Sequence, residues 1–257
     1  DVTKTDGEYI YTLAGGRMHI VRADGGNLTT TAEIDYSDGT ALRAFEFYVT
    51  ADRLVLLMHS YEETADGSSG GAECAGCSGS GNVTWAAVYD IADRANPRLM
   101  NTLGQSGSYL SSRLVGDTLY LITRHSLPEK AKKGEKETYV PLLYAKAGCV
   151  IPHAVMTAGD VCIPPVPTGR QYTVVTSADI HSPQEHTSSK TILGAGDTLY
   201  ASTENLLLAI PRSTKEGDGR ISTVTDLVRF SLDGGRIALA ASGTIPGTLL
   251  NPFSMDE

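Results

Sequence analysis

The sequence predicts an all-β protein, a β-propeller of four-stranded antiparallel blades, on three observations. Four apolar runs, Tyr9–Leu13, Leu54–Met58, Leu119–Thr123 and Leu206–Ile210, are each followed by three further β-type segments. Gly or Asp-Gly punctuates most of the junctions. No long segment carries a strong helical period of about 3.6 residues, so helix is minor. A repeat of about 45 residues built from four strands is the pattern of a propeller blade. About four blades are expected in a single region 1–257, with limits near 1–50, 51–116, 117–203 and 204–257.

The elements follow in order. Blade 1 takes strands at 8–13, Arg17–Arg22, 28–35 and Ala41–Val49. Blade 2 takes 53–59, Val83–Ile91, 98–103 and 108–115. Blade 3 takes 118–124, 172–180, 186–193 and 197–203, and blade 4 takes 205–210, Val224–Ser231, 236–245 and 247–254. Alternation and the density of β-branched and aromatic residues support each segment. The turns agree. Asp24-Gly25-Gly26 and Asp233-Gly234-Gly235 supply the positive φ that tight hairpins need. Gly-Asp-Thr-Leu-Tyr occurs at 116–120 and again at 196–200. The register that keeps Asn205–Ile210 as one strand does not treat the two copies as equivalent.

The insertions fall in one class of connection, between the first and second strands of a repeat. They cover 60–82, 125–171 and 211–223, whereas Ala14-Gly15-Gly16 closes the same connection in blade 1. In a propeller these loops share one face with the connections that close each repeat. Insertions gathered on one face mark it as the expected binding face.

Four cysteines, Cys74, Cys77, Cys149 and Cys162, all lie in the two longest of these loops. An even number in long loops suits disulfides in an oxidising compartment, with the three pairings of four cysteines left open. Cys74-Ala-Gly-Cys77 lacks a second ligand pair at zinc spacing and sits among Gly and Ser rather than at the start of a helix, against metal and redox roles.

The net charge of −9 and the lack of a basic stripe argue against nucleic acid as a partner. No run of about 18 apolar residues is present to span a membrane. The chain opens on Asp1 without a basic-then-apolar leader, and is read as a segment downstream of any signal. The basic run Lys130–Lys136 is diluted by Glu129, Glu135 and Glu137 and reads as a solvated loop tip.

Several stretches look familiar. They are Thr3–Tyr11, Ser108–Val115 running into Gly116–Tyr120, Thr198–Leu206, and Ser242–Gly247 with the final Asn251–Glu257. Together they resemble the family of secreted bacterial and archaeal proteins with a C-terminal β-propeller domain distantly related to WD-40 repeats. The resemblance spans nearly the whole chain, with 60–82 and 125–170 as departures. It implies an extracytoplasmic propeller, assigns no catalytic or binding residues, and implies further blades beyond Glu257. Four blades would then be part of a larger propeller, completed by a second copy or by the remaining blades; the competing reading is a closed four-bladed ring, which 257 residues could just build.

For chemistry, neither H-E-x-x-H nor G-x-x-x-x-G-K-[ST] occurs. His59 and His125 end corresponding strands of adjacent repeats, near Glu62, Glu63 and Arg124, and form the candidate ligand face. No cofactor is called for. Glu216–Gly219 and Glu62–Gly67 are the acidic turns that raise structural calcium, without an EF-hand pattern. Trp85, the single Trp, alternates as a core residue. The function expected is a secreted or surface-attached binding module for a protein, peptide or glycan. The alternatives are a polysaccharide hydrolase or lyase at the channel, which would need convergent carboxylates, and a purely structural module of a larger surface protein.

Overall fold

Short side chains that bond their own turn fix the hairpins of the computed structural model. Asp6 Oδ1 accepts from the N–H groups of Glu8 and Tyr9, Thr50 Oγ1 from that of Arg53, and Ser202 Oγ from those of Glu204 and Asn205. Each thereby ties the first strand of a sheet to the second. The structure describes residues 2–36, 42–60, 82–127, 134–136, 139–145, 152–164, 166–194, 198–215, 217, 219–251 and 254–255.

Four antiparallel sheets result. The first orders β1 (Thr3–Thr5), β2 (Tyr9–Ala14), β3 (Arg17–Asp24) and β4 (Asn27–Ile34). The second is built on β5 (Leu42–Val49), β6 (Arg53–Ser60), β7 (Val83–Asp90) and β8 (Arg98–Ser106). The third is built on β9 (Ser108–Val115), β10 (Thr118–Ser126), β14 (Gln171–Asp179) and β15 (Ser188–Leu193). The fourth orders β16 (Thr198–Ala201), β17 (Asn205–Lys215), β18 (Ile221–Asp233) and β19 (Arg236–Pro246).

The sheets begin one strand earlier than the sequence repeats. The strands at 41–49, 108–115 and 197–203, expected to close a repeat, are hydrogen-bonded instead to the strand that follows. Two-residue closures at Thr50–Arg53, Val115–Thr118 and Ser202–Asn205 make tight hairpins of them. The chain changes sheet between β8 and β9 at a single residue, Gly107. Its φ is +108°, and a Cβ there would lie 2.5 Å from the Arg124 carbonyl oxygen, so only glycine fits without backbone movement. The two Gly-Asp-Thr-Leu-Tyr copies are not equivalent: Thr118–Tyr120 lies in the second strand of its sheet, Thr198–Tyr200 in the first.

The insertion at 125–171 is not simply a loop. β11 (Leu142–Ala145) pairs with β8 and with β12 (Pro152–Val155), widening the second sheet. β13 (Val161–Cys162) pairs in parallel with β15, widening the third. The apolar run Leu142-Leu143-Tyr144 drives this, since Leu143 packs with Met156, Tyr172 and Val174 while Leu142 and Tyr144 join the core between the first two sheets.

The sheets stack in sequence order with a constant sense. Counting from each hairpin, Ile10, Leu54, Leu119 and Leu206 occupy one position, and Tyr11, Val55, Tyr120 and Leu207 the next. Tyr11 packs forward onto Leu54 and Leu56. Val55 and Leu57 pack onto Leu119 and Leu121, and Tyr120 and Ile122 onto Leu206 and Leu208. Burial of each such side chain contributes on the order of 1.5–3 kcal/mol. Trp85 lies in this core at 3% exposure, against Gly104 and Tyr144.

Polar links reinforce the stack. Arg94, in the turn between β7 and β8, donates to the hydroxyl of Tyr11 at 3.1 Å, to Asp6 at 3.4 Å and to the carbonyls of Ile91 and Ala51. Tyr120 makes the matching contact two junctions later, between the third and fourth sheets, its hydroxyl accepting from the N–H of Gly235 at 3.1 Å. Among the described residues no apolar cluster joins the first sheet to the fourth, and no closed ring is seen. Among the described residues no further sheet packs on the forward face of the fourth, where Tyr200, Leu207 and Leu227 stand half-buried. The rear face of the first is more polar, with a Thr3–Thr12 hydroxyl pair at 2.8 Å and His19 3.2 Å from Glu33.

Candidate functional site

Strand direction places the β6–β7, β10–β14 and β17–β18 connections at one end of the stack, together with the crossings into β5, β9 and β16. The opposite end carries the turns between third and fourth strands of each sheet. The connections that carry the insertions therefore do lie at one end, but 211–223, expected as a loop, is mostly an extension of the paired strands β17 and β18. At that end, between the second and third sheets, lies a recess of about 280 Å3 lined by Phe45, His59, Ser60, Asn82, Ser108 and Tyr109.

A β-bulge builds the floor. The register of β5 against β6 slips between Ala44 and Glu46, leaving Phe45 as the extra residue. Ala44 joins the core toward the first sheet, while Phe45, Glu46 and Tyr48 all contact groups toward the third. Bulges re-aim side chains in this way and gather near functional sites. A second slip, in β9 between Tyr109 and Ser111, lets Tyr109 face back toward Phe45. The Phe45 ring then stacks on His59 at 5.1 Å and 17°, and meets Tyr109 at 4.7 Å and 58°.

The polar groups are held in place. The Tyr109 hydroxyl donates to Glu46 Oε2 at 2.7 Å and bonds the Ser112 hydroxyl at 3.0 Å. Burial, helped by Glu46, pushes the Tyr109 phenol well above the usual range, so it stays protonated. Asn82 Nδ2 donates to Ser108 Oγ at 2.7 Å across the rim. Partial burial and the nearby Arg43 charge hold His59 below its ordinary value of 6.5, favouring neutral imidazole at neutral pH.

Of the expected site residues, His59 reaches this recess. His125 does not line it. It stacks on Tyr172 at 6.5 Å and 10°, and burial lowers its pKa. The crossing at Gly107 stands between the two histidines. Its N–H bonds the Asn82 carbonyl, its own carbonyl accepts from Thr84, and its other side abuts Arg124. Glu62, Glu63, Cys74, Cys77 and Cys149 lie outside the described residues, as do the calcium candidates at 62–67 and at Glu216 and Asp218. Cys162 is a free thiol in β13, half-buried, its pKa raised by that burial. Among the described residues no three His, Cys, Asp or Glu side chains form a metal cluster.

A larger recess of about 530 Å3 opens at the turn end, lined by charged groups including Asp6, Asp93 and Arg94. Its Arg94 guanidinium is already engaged by Asp6, Tyr11 and two carbonyls, so that recess is a structural latch between sheets. Sequence reasoning missed Phe45, Ser60, Asn82, Ser108 and Tyr109. No local signal marks them, since Phe45 and Phe47 are spaced to share one face as in any regular strand.

No curated protein and no solved structure matches the chain. The family model described as "Beta propeller domain" matches residues 1–257. With four stacked antiparallel sheets and that match over its whole length, the chain belongs to the β-propeller domain family.

Proposed function

We propose that this protein is an extracytoplasmic binding module whose ligand meets the insertion-bearing end of the blades. The observation that carries the reading is the aromatic recess at that end, set beside the bases of the β6–β7 insertion at Ser60 and Asn82. Small-molecule and peptide sites pair apolar walls with a few convergent polar groups, as this one does. Among the described residues that line the recess there is a histidine, His59, and no pair of carboxylates of the kind that glycosidic hydrolysis by paired acids uses. Screening the full chain against glycan and peptide arrays tests the reading. Binding that is lost in a Phe45→Ala variant supports it, and blank arrays favour a purely structural module.

A second component rests on the forward face of the fourth sheet. Tyr200, Leu207 and Leu227 hold the positions that Tyr48, Val55 and Ala86 use to dock the third sheet. We propose that another chain supplies a blade face of the Leu54–Leu56 kind and extends the arc. Light scattering after size exclusion should show self-association or co-elution with such a chain, weakened by Leu207→Glu. A stable, soluble monomer that captures no blade would overturn it.

A further inference from the structure

We infer that the recess between the second and third sheets takes a neutral pyranose ring of an oligosaccharide, an inference that rests on the binding reading above. Three features of the lining select that chemistry.

The first is charge. The six described lining residues carry no carboxylate, ammonium or guanidinium, and His59 is held toward its neutral form. An anion would want convergent cations or N–H groups, and a metal would want several anionic or imidazole ligands. Neither set is present among the described lining residues.

The second is the division of the walls. Phe45 and Tyr109 supply carbon surface, and the Tyr109 hydroxyl is spent on Glu46 and Ser112, so its ring is the part available to a ligand. Ser60, Asn82, Ser108 and His59 form the polar part. Each hydroxyl, amide and neutral imidazole both donates and accepts. A sugar presents the same combination, with a C–H face on one side and hydroxyls at its edge that both donate and accept. A wholly apolar ligand would desolvate the hydrogen-bonding capacity that Ser60, Asn82 and Ser108 keep beyond the Asn82–Ser108 and Trp85–Ser60 bonds, at a cost.

The third is size. About 280 Å3 lies at the lower limit of small-molecule sites, which begin near about 300 Å3, so one ring is seated rather than a long ligand. The Asn82–Ser108 hydrogen bond fixes two of the polar groups before binding, which reduces the ordering cost.

The test titrates the full chain with neutral hexose and N-acetylhexosamine oligosaccharides by calorimetry, with a peptide library in parallel. Saturable binding of a neutral saccharide is expected. Asn82→Ala and Ser108→Ala should each weaken it about tenfold, the effect of losing one well-placed hydrogen bond. Both residues are exposed, so these variants keep the fold, and Asp93→Ala at the opposite end should leave affinity unchanged. Peptide binding without saccharide binding would overturn the inference and leave the binding reading standing. No binding of either would overturn both. Saccharide binding indifferent to Asn82→Ala and Ser108→Ala would place the site elsewhere and likewise overturn the inference.

Discussion

Replacing Gln105 with Leu tests how the second and third sheets are held together. Gln105 is fully buried in β8 yet bonds the third sheet. Its Nε2 donates to Thr123 Oγ1 at 2.9 Å and lies 3.3 Å and 3.4 Å from the carbonyls of Leu121 and Val174. Its Oε1 accepts from the Thr176 hydroxyl, and Thr123 donates in turn to the Ser106 carbonyl at 2.7 Å. Leu keeps the volume but leaves the Thr176 hydroxyl buried without its acceptor. A net hydrogen bond is worth about 1 kcal/mol and an orphaned buried group costs about 1–3 kcal/mol, so Gln105→Leu should destabilise by about 2–3 kcal/mol. Thr176→Val removes the other half of the pair and should cost about 1–2 kcal/mol. The double variant replaces both partners with apolar groups, so it should cost less than the sum, with a coupling of about 1–2 kcal/mol. Urea unfolding followed by fluorescence of Trp85, the single Trp, reads all four proteins. At an m-value of about 2–3 kcal/mol/M, Gln105→Leu should lower the midpoint by about 1 M. Strict additivity, or a single-variant loss below about 0.5 kcal/mol, would refute the network as the link between the sheets.

Other outcomes follow from the same geometry. Gly107→Ala forces a Cβ against the Arg124 backbone at a positive φ, and should cost more than about 2 kcal/mol in urea unfolding. Arg94→Ala opens the latch between the first two sheets and should cost about 1–3 kcal/mol, with proteolysis then beginning in the first sheet. Arg94→Lys should recover little of this, because the fork reaches a hydroxyl, a carboxylate and two carbonyls at once. His59 and His125 have folded-state pKa values below 6.5. Protonation therefore favours the unfolded chain: the stability tied to their neutral forms is complete above pH 6.5 and is lost as pH falls through the depressed values. Tm should drop between pH 7 and pH 5, and His125→Phe should flatten that slope.

Much of the architecture was legible because it follows from local chemistry. Asp-Gly-Gly at 24–26 and 233–235 sets the hairpins through positive φ, and the continuous apolar runs Leu54–Met58 and Leu119–Ile122 mark strands buried on both sides. Membership of a sheet was less legible. Ser108–Val115 reads as a strand whichever neighbour it bonds, and the choice is made by the close approach at Gly107, which only the folded backbone reveals. The recess was hidden for a related reason. Phe45 reads as one more alternating apolar residue until a one-residue slip turns it beside Glu46, and its partner Tyr109 lies in a different sheet. His59 was visible because it ends a strand. His125 looked equivalent, but the crossing chain separates it from the recess.

The most direct test of the insertion end as the binding end is a hydrogen-exchange footprint of the full chain with saturating neutral oligosaccharide. The account predicts added protection at the bulge in β5, the end of β6, the start of β7 and the start of β9, where Phe45, Ser60, Asn82 and Tyr109 stand. Protection confined to the opposite turns, around Gly25, Arg94, His181 and Gly234, or none at all, would contradict it.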